Sequence, residues 1–289
     1  MRTLVGTLLL LPATVWAHGG ESYDGPDGWN FDPWVVLPLL LSLGLYFVGV
    51  WRLWKRAGPG RGIGRWQVRA YLLGWFGLAG AVLSPLHEFG ERVFTLHMIE
   101  HEIIMALAAP LLVLARPAGA LAWALPAGWR RPLLRWRPRG LWAAATAPVF
   151  ATAAHGVAIW IWHVPVLFEA AVAHAALHRL QHLSFIVTAL LFWWALLRRC
   201  TPGAAAMHLF VTMMHTGLLG ALMALAPRVL YRVQTAGSGV IGLTALEDQQ
   251  LAGLVMWIPA GTVYAGAALA FLAAWIGRSG HGAGAAHAR

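Results

Sequence analysis

The sequence has a single cysteine, Cys200, among its 289 residues. One thiol forms no disulfide within the chain and no CxxC metal or redox motif. Any metal site in this protein must therefore be built from histidine, methionine, aspartate or glutamate.

Charged residues are also scarce. They make up 11% of the chain and hydrophobic residues 59%, whereas a soluble domain usually has about 25% charged residues. The mean hydropathy is +0.64, so most of the chain must face lipid or other apolar helices. A net charge of +10 would suggest nucleic-acid binding in a soluble protein. Here the arginines lie in short loops between apolar runs, so we expect membrane lipid, and no nucleic acid, as a partner.

Long apolar runs are what the chain has in abundance. A membrane span needs about 20 apolar residues, and the sequence predicts seven spans, at about residues 34–54, 67–86, 93–115, 141–162, 180–198, 204–225 and 250–275. Residues 1–17 have the charged start, apolar centre and small-residue end of a signal peptide, with an uncleaved anchor as the alternative. The predicted fold is an all-α, polytopic transmembrane bundle over 34–276, preceded by a periplasmic segment, 18–33, and followed by a disordered cytoplasmic tail, 277–289.

The distribution of basic residues predicts how the chain is oriented. If residue 18 starts outside, 16 of the 21 arginines and lysines fall on the cytoplasmic side and four on the outer side. Because short cytoplasmic loops are enriched in these residues, the bias predicts an N-out, C-in topology. We expect the protein in the inner (cytoplasmic) membrane of a bacterium.

The third predicted span begins with two histidines four residues apart, His97 and His101. Residues at this spacing share a helical face and form a common pair of metal ligands. Glu100 borders the same face. Ionisable side chains inside a membrane are costly, so each is a functional candidate. The alternative role is helix packing or hydrogen bonding between helices. HMIEH is not the HExxH motif of zinc proteases, because its acid does not directly follow the first histidine.

A second set of histidines precedes and enters the fifth predicted span. His174, His178 and His182 lie at i, i+4 and i+8, so they form one stripe if the helix is unbroken. The alternative is a wet interfacial face. His163, at the end of the fourth span, and His215, in the sixth, are further candidates.

Polar residues also open the seventh predicted span, where Asp248 precedes Met256 by two turns. Asp248 is a candidate site residue, with an N-terminal helix cap as its alternative role. Met98 and Met105, in the third span, offer further thioethers.

Imidazole, with thioether and carboxylate, suits copper, and thioether favours Cu(I). Zinc held by histidine and carboxylate is the next choice. A b-type haem is the rival, because His101 with His155 or His215 could supply two axial ligands. A copper transporter or proton-coupled channel that uses the same histidines is a third possibility.

Four blocks occur in the order LHMIEHEIIMALAAPLLVLARP, HVPVLFEAAVAHAALHRLQHLSFIVTALLFWW, MMHTGLLGALMALAPRVLY and LEDQQLAGLVMWIP. Together they resemble the CtaG family of seven-span membrane proteins, which is linked to assembly of caa-type cytochrome c oxidase. The resemblance covers about residues 35–275. It implies an assembly factor that helps deliver copper to the catalytic subunit of a haem–copper oxidase. The positions that match the family blocks are His97, Met98, His101, His178, His182, His215, Asp248 and Met256.

The histidines and the resemblance together predict a copper site between the outer halves of several spans. The expected metal ligands are His97, His101, His178, His182, His215, Met98 and Met256, with Glu100, Asp248, His163 and His174 supporting them. The expected partners are haem–copper oxidase subunits and periplasmic copper chaperones. Because the protein would hand copper on, we expect it not to be an enzyme.

Overall fold

The computed structural model describes residues 28–130 and 139–287, and the side chains of 139 and 279–287 are not described. The predicted signal peptide, 1–17, and most of the predicted periplasmic segment lie outside the described residues.

The described chain is helical and contains no strand, which confirms the all-α class. A π-helical turn, Ile103–Ala108, joins α4 to α5, and a 3-10 turn, Ser238–Ile241, precedes the last helix. In chain order the α-helices are α1 (Pro33–Ala57), α2 (Arg65–Leu83), α3 (Pro85–Gly90), α4 (Phe94–Glu102), α5 (Ala109–Leu114), α6 (Pro117–Ala124), α7 (Arg139–Ala145), α8 (Pro148–Trp162), α9 (Pro165–Ala173), α10 (Ala175–Arg198), α11 (Pro202–Ala224) and α12 (Ala245–His287).

The long helices confirm a polytopic membrane bundle. Five helical segments in the described residues are long and apolar enough to span a membrane: α1, α4 to α5, α10, α11 and α12. The pair α8 and α9, bent by 77°, makes six if it counts as one span. α2 has 19 residues but begins with RWQVR, whose charged and amide side chains lower its hydropathy. The count of seven spans, the N-out, C-in orientation and the disordered tail stay predictions.

Prolines divide the region of the fourth predicted span. α8 begins at Pro148 and α9 at Pro165, each at the first turn of its helix. Proline lacks the N–H that would continue a preceding helix, and it disfavours helical backbone in the residue before it. A further break lies at His174, whose backbone is extended (φ −135°, ψ 108°) between α9 and α10.

The π-helical turn that follows α4 makes a hydrogen bond to α10. Pro110 lies just after this turn and has no N–H for the carbonyl one turn earlier, which favours a locally widened helix. Within the turn, the carbonyl of Met105 accepts a hydrogen bond from Nε1 of Trp193 in α10 (3.0 Å). The two helices that carry the paired histidines are therefore joined at this depth.

Two further contacts hold the bundle together. Arg179, near the start of α10, donates to Asp32 at the start of α1 (2.6 Å). α11 and α12 approach closely where Gly220 faces Gly253. Small residues allow such backbone approach between helices in a membrane.

Candidate metal centre

Five histidines meet at one end of the bundle, and we call them the histidine cluster: His87, His97, His101, His178 and His182. α3 supplies His87, α4 supplies the next two and α10 the last two. Adjacent rings have centroids 4.2 to 6.0 Å apart. The structure thus brings together the two histidine pairs singled out from the sequence, across an interface between two helices.

The cluster contains two overlapping sets of three possible ligands. One set is His87, His178 and His182, and the other is His97, His101 and His182. Within each set, one nitrogen from each ring lies within 4.8 Å of the others. Metal–imidazole bonds are about 2 Å long, so two ligand atoms on one ion lie up to about 4 Å apart. Small side-chain movements would close either set on an ion.

Many nitrogens of the cluster are buried and unpaired. Among the described residues, both ring nitrogens of His97 and of His101 have no hydrogen-bond partner, and neither does Nε2 of His178 or of His182. A buried polar group left unsatisfied costs about 1–3 kcal/mol. A metal ion that accepted these lone pairs would offset that cost, so the donor set fits a metal.

Two carboxyl groups orient the rings. His87 Nδ1 donates to Oε1 of Glu100 (2.8 Å), and His182 Nδ1 lies 3.6 Å from the same oxygen. His178 Nδ1 lies 3.6 Å from Oε1 of Glu91. A carboxylate on one ring nitrogen fixes the ring and leaves the other nitrogen for a metal. Glu100 therefore lies beside His87 and His182, and its support of metal ligands stays a prediction.

His87 lies in the short helix α3. The other four histidines of the cluster lie in the membrane-spanning helices α4 and α10. Burial acts to lower the pKa of His87, but the charges of Glu100, Glu91 and Glu88 and the hydrogen bond to Glu100 outweigh it. The pKa of His87 is therefore raised above its ordinary value.

Asp248 anchors the start of α4 from a distant part of the sequence. Its Oδ2 accepts from the backbone N–H of Phe94 (2.9 Å) and its Oδ1 from that of Thr95 (2.9 Å). The hydroxyls of Thr95 and Ser238 each donate to it as well, at 2.7 Å. Asp248 thus caps the helix that carries His97, rather than orienting an imidazole or capping its own helix.

The segment between α11 and α12 bonds to chain elements that lie beside the cluster. Gln234 donates to the carbonyl of Gly90, and the N–H of Gly237 donates to the carbonyl of Arg92 (2.8 Å). The Tyr231 hydroxyl donates to the carbonyl of His163 (2.6 Å). These bonds hold the α3–α4 junction and the end of α8 against the same segment.

Comparison with known proteins places this chain in a family. The model of the cytochrome c oxidase caa3 assembly factor family (Caa3_CtaG) matches residues 44–278. The chain belongs to this family. The match includes every residue of the histidine cluster and confirms the resemblance noted from the sequence. Searches of curated proteins and of solved structures gave no match.

In this Caa3_CtaG protein, His163 lies beside the cluster. Its ring centroid is 6.3 Å from that of His101, and its Nδ1 bonds to the carbonyl of Ile159 (2.7 Å). Its Nε2 is buried with no hydrogen-bond partner among the described residues. The supporting role of His163 at a metal site stays a prediction.

Two of the predicted histidines, His174 and His215, have no described ring contact with the cluster. His174 is exposed, and its Nδ1 bonds to the carbonyl of Ala170 (3.0 Å). The expected stripe of three histidines fails because the helix is broken there. His215 lies between α8 and α11, where its ring is next to Gly156 and accepts from Nε1 of Trp160 (3.4 Å).

The two methionines predicted as ligands, Met98 and Met256, are buried, but no described hydrogen bond or ring contact joins them to the cluster. Met98 is 1% and Met256 2% exposed. Met98 follows His97 directly and so lies about 100° around the helix from it. A thioether ligand from either residue stays a prediction.

The sequence analysis missed His87. The segment SPLHEFGERVF begins with Ser84, whose Oγ accepts from the N–H of Leu86 (3.3 Å), followed by proline at the first helical position. Serine followed by proline is a recognisable helix start. The sequence did contain a signal: this short helix has a histidine beside glutamates and lies close to His97 and His101 along the chain. The contact of His87 with α10, however, depends on the fold.

Proposed function

We propose that this member of the cytochrome c oxidase assembly factor family binds copper, as Cu(I), in the histidine cluster and helps to insert it into the catalytic subunit of a haem–copper oxidase. The observation that carries the proposal is the convergence of two three-imidazole sets whose buried ring nitrogens are largely unpaired. Copper is the cargo here, and the protein does not turn over a substrate.

The chemistry of the donor set supports copper. Imidazole is a good ligand for copper, and the buried carboxyl of Glu100 can compensate the charge of a monovalent ion. We place the cluster on the periplasmic face of the bacterial inner membrane. An oxidising compartment selects against free thiols, and a site built without thiols suits that environment. Copper would come from a periplasmic chaperone and leave for an oxidase subunit.

The packing of the rings favours copper over haem. Axial haem ligation needs two imidazoles on opposite faces of a macrocycle. In the cluster, each ring has other histidine rings within 4.2 to 6.0 Å, in the space that a macrocycle would need. His155, one proposed haem ligand, instead bonds Thr188 through Nδ1 (3.1 Å) and stacks on Phe192.

The test compares the purified full-length protein with a variant that carries His97→Ala and His101→Ala. Metal analysis and Cu(I) titration should show copper in the wild type. The variant should bind it with at least a roughly 100-fold weaker affinity, since the more deeply buried set has lost two of its three ligands. His174→Ala is the matched control, because this histidine is exposed and outside the cluster. In cells, the double variant should insert in the membrane but leave the oxidase short of copper.

Three results would contradict the proposal. If cells that carry the double variant make an oxidase with normal copper content, the cluster is not needed for copper delivery. A haem absorption band in the purified protein would favour the alternative function, that of a b-type haem-binding membrane electron-transfer protein. Preferential zinc binding would reject copper as the cargo.

A further inference from the structure

We propose that one copper ion uses the two overlapping sets in turn. It would bind first at the outer set, His87, His178 and His182, and then move to the inner set, His97, His101 and His182. His182 stays bound throughout. This inference rests on the proposed function, but it concerns the route of the ion rather than the presence of copper.

The geometry supplies a shared ligand and a short path. His182 belongs to both sets, and each set brings its nitrogens within 4.8 Å. The His178 ring stacks on His87 on one side (5.0 Å, 13°) and faces His97 in a nearly parallel arrangement (5.5 Å, 19°). An ion that changes sets therefore exchanges ligands between rings that are already in contact.

The exposure of the histidine side chains indicates which set an ion reaches first. In the outer set the side chains of His87, His182 and His178 are 14%, 13% and 7% exposed. In the inner set, His97 is fully buried and His101 is 1% exposed. An ion from solution would meet the outer set first, and the inner set would hold it away from water.

The position of the carboxyl groups favours one ion at a time. Glu100 is fully buried and contacts His87 and His182, so it lies beside the shared ligand and can compensate a cation in either set. Glu91, beside His178, is about one-third exposed. Two cations joined to one imidazole would repel each other strongly in this low-dielectric site.

The movement is an exchange of ligands with no redox step. The bonds from Cu(I) to His87 and His178 break as bonds to His97 and His101 form. Each imidazole binds the ion through a neutral ring, and no electron is transferred. The buried and unpaired nitrogens of His97 and His101 are available for the new bonds.

The experiment uses the full-length protein in lipid nanodiscs, with Cu(I) supplied from a coloured, water-soluble chelator. The wild type should take up one Cu(I) per chain. His87→Ala should reach the same final occupancy but load roughly tenfold more slowly or worse, because the outer set has lost a ligand. His87→Gln repeats the test with a polar partner kept for Glu100, in case the alanine variant misfolds, and His174→Ala should load normally.

A second variant tests the inner set. His101→Ala should still bind Cu(I) in the outer set but return it to a stronger chelator roughly tenfold faster than the wild type, since the ion stays near the surface. Two Cu(I) per wild-type chain, or unchanged loading in both folded His87 variants, would overturn the two-position route and leave copper binding intact. No Cu(I) binding by the wild type would overturn the proposed function as well.

Discussion

Replacing Asp248 with alanine tests how the start of α4 is held in place. This carboxylate accepts hydrogen bonds from the backbone N–H groups of Phe94 and Thr95, at 2.9 Å each. All of these groups are buried. His97 lies only three residues after Phe94, so the position of the histidine pair depends on this anchor.

The expected loss of stability in the Asp248→Ala protein depends on which hydrogen-bond donors can find new acceptors. The Thr95 hydroxyl already lies 3.2 Å from the backbone carbonyl of residue 248, and the Ser238 hydroxyl can donate to the carbonyl of Thr235 (2.7 Å). Only the two backbone N–H groups are then left unpaired. At about 1–3 kcal/mol each, Asp248→Ala should destabilise the protein by about 2–6 kcal/mol. Asp248→Asn keeps one acceptor oxygen and should lose about half as much.

The assay is reversible unfolding in mixed micelles of detergent and denaturing surfactant, together with Cu(I) titration of the folded protein. Glu247→Ala is the matched control, because it removes the same charge one residue away but breaks only local bonds to Thr244. Asp248→Ala should show the larger loss of stability and a weakened Cu(I) affinity. Equal stability of the Asp248→Ala and Glu247→Ala proteins would refute the role of Asp248 as an anchor.

Two further predictions concern helix packing and the charge of the site. Gly253→Ala would put a Cβ 2.5 Å from the carbonyl oxygen of Gly220, so it should cost about 1–3 kcal/mol in the same unfolding assay. Gly266→Ala, in the same helix with no described atom within 4 Å, should cost nothing, and equal losses would contradict the close contact. Glu100→Gln removes the buried carboxyl beside His87 and His182 and should weaken Cu(I) binding about 10–100-fold in titrations. Glu102→Gln is its control, since that residue lies about 200° around the helix from Glu100, and a matching loss there would reject a specific role for Glu100.

The sequence could predict the parts of the site that depend on one helix. His97 with His101, and His178 with His182, follow from the four-residue spacing that puts two side chains on one face. The same rule failed at His174, because it assumes a continuous helix. AVAHAALHRL contains no proline or glycine to mark the break that the structure has there.

Contacts between distant segments could not be predicted in this way. Asp248 bonds to residues 153 and 154 positions away, and no local spacing relates such groups. His87 joins the cluster only because the fold brings its ring against those of His178 and His182 in α10. The position of His215 beside Trp160 likewise depends on how α8 and α11 meet.

The sequence by itself determined that this is a helical membrane protein, because lipid permits only backbones that satisfy their own hydrogen bonds and the apolar runs are long enough to span it. It also determined which histidines share a helical face. Only the tertiary structure decided which faces meet, how near their nitrogens come and which carboxyl groups lie beside them. The physical reason is that burial and ligand geometry arise from the packing of separate helices, whereas periodicity describes one helix at a time.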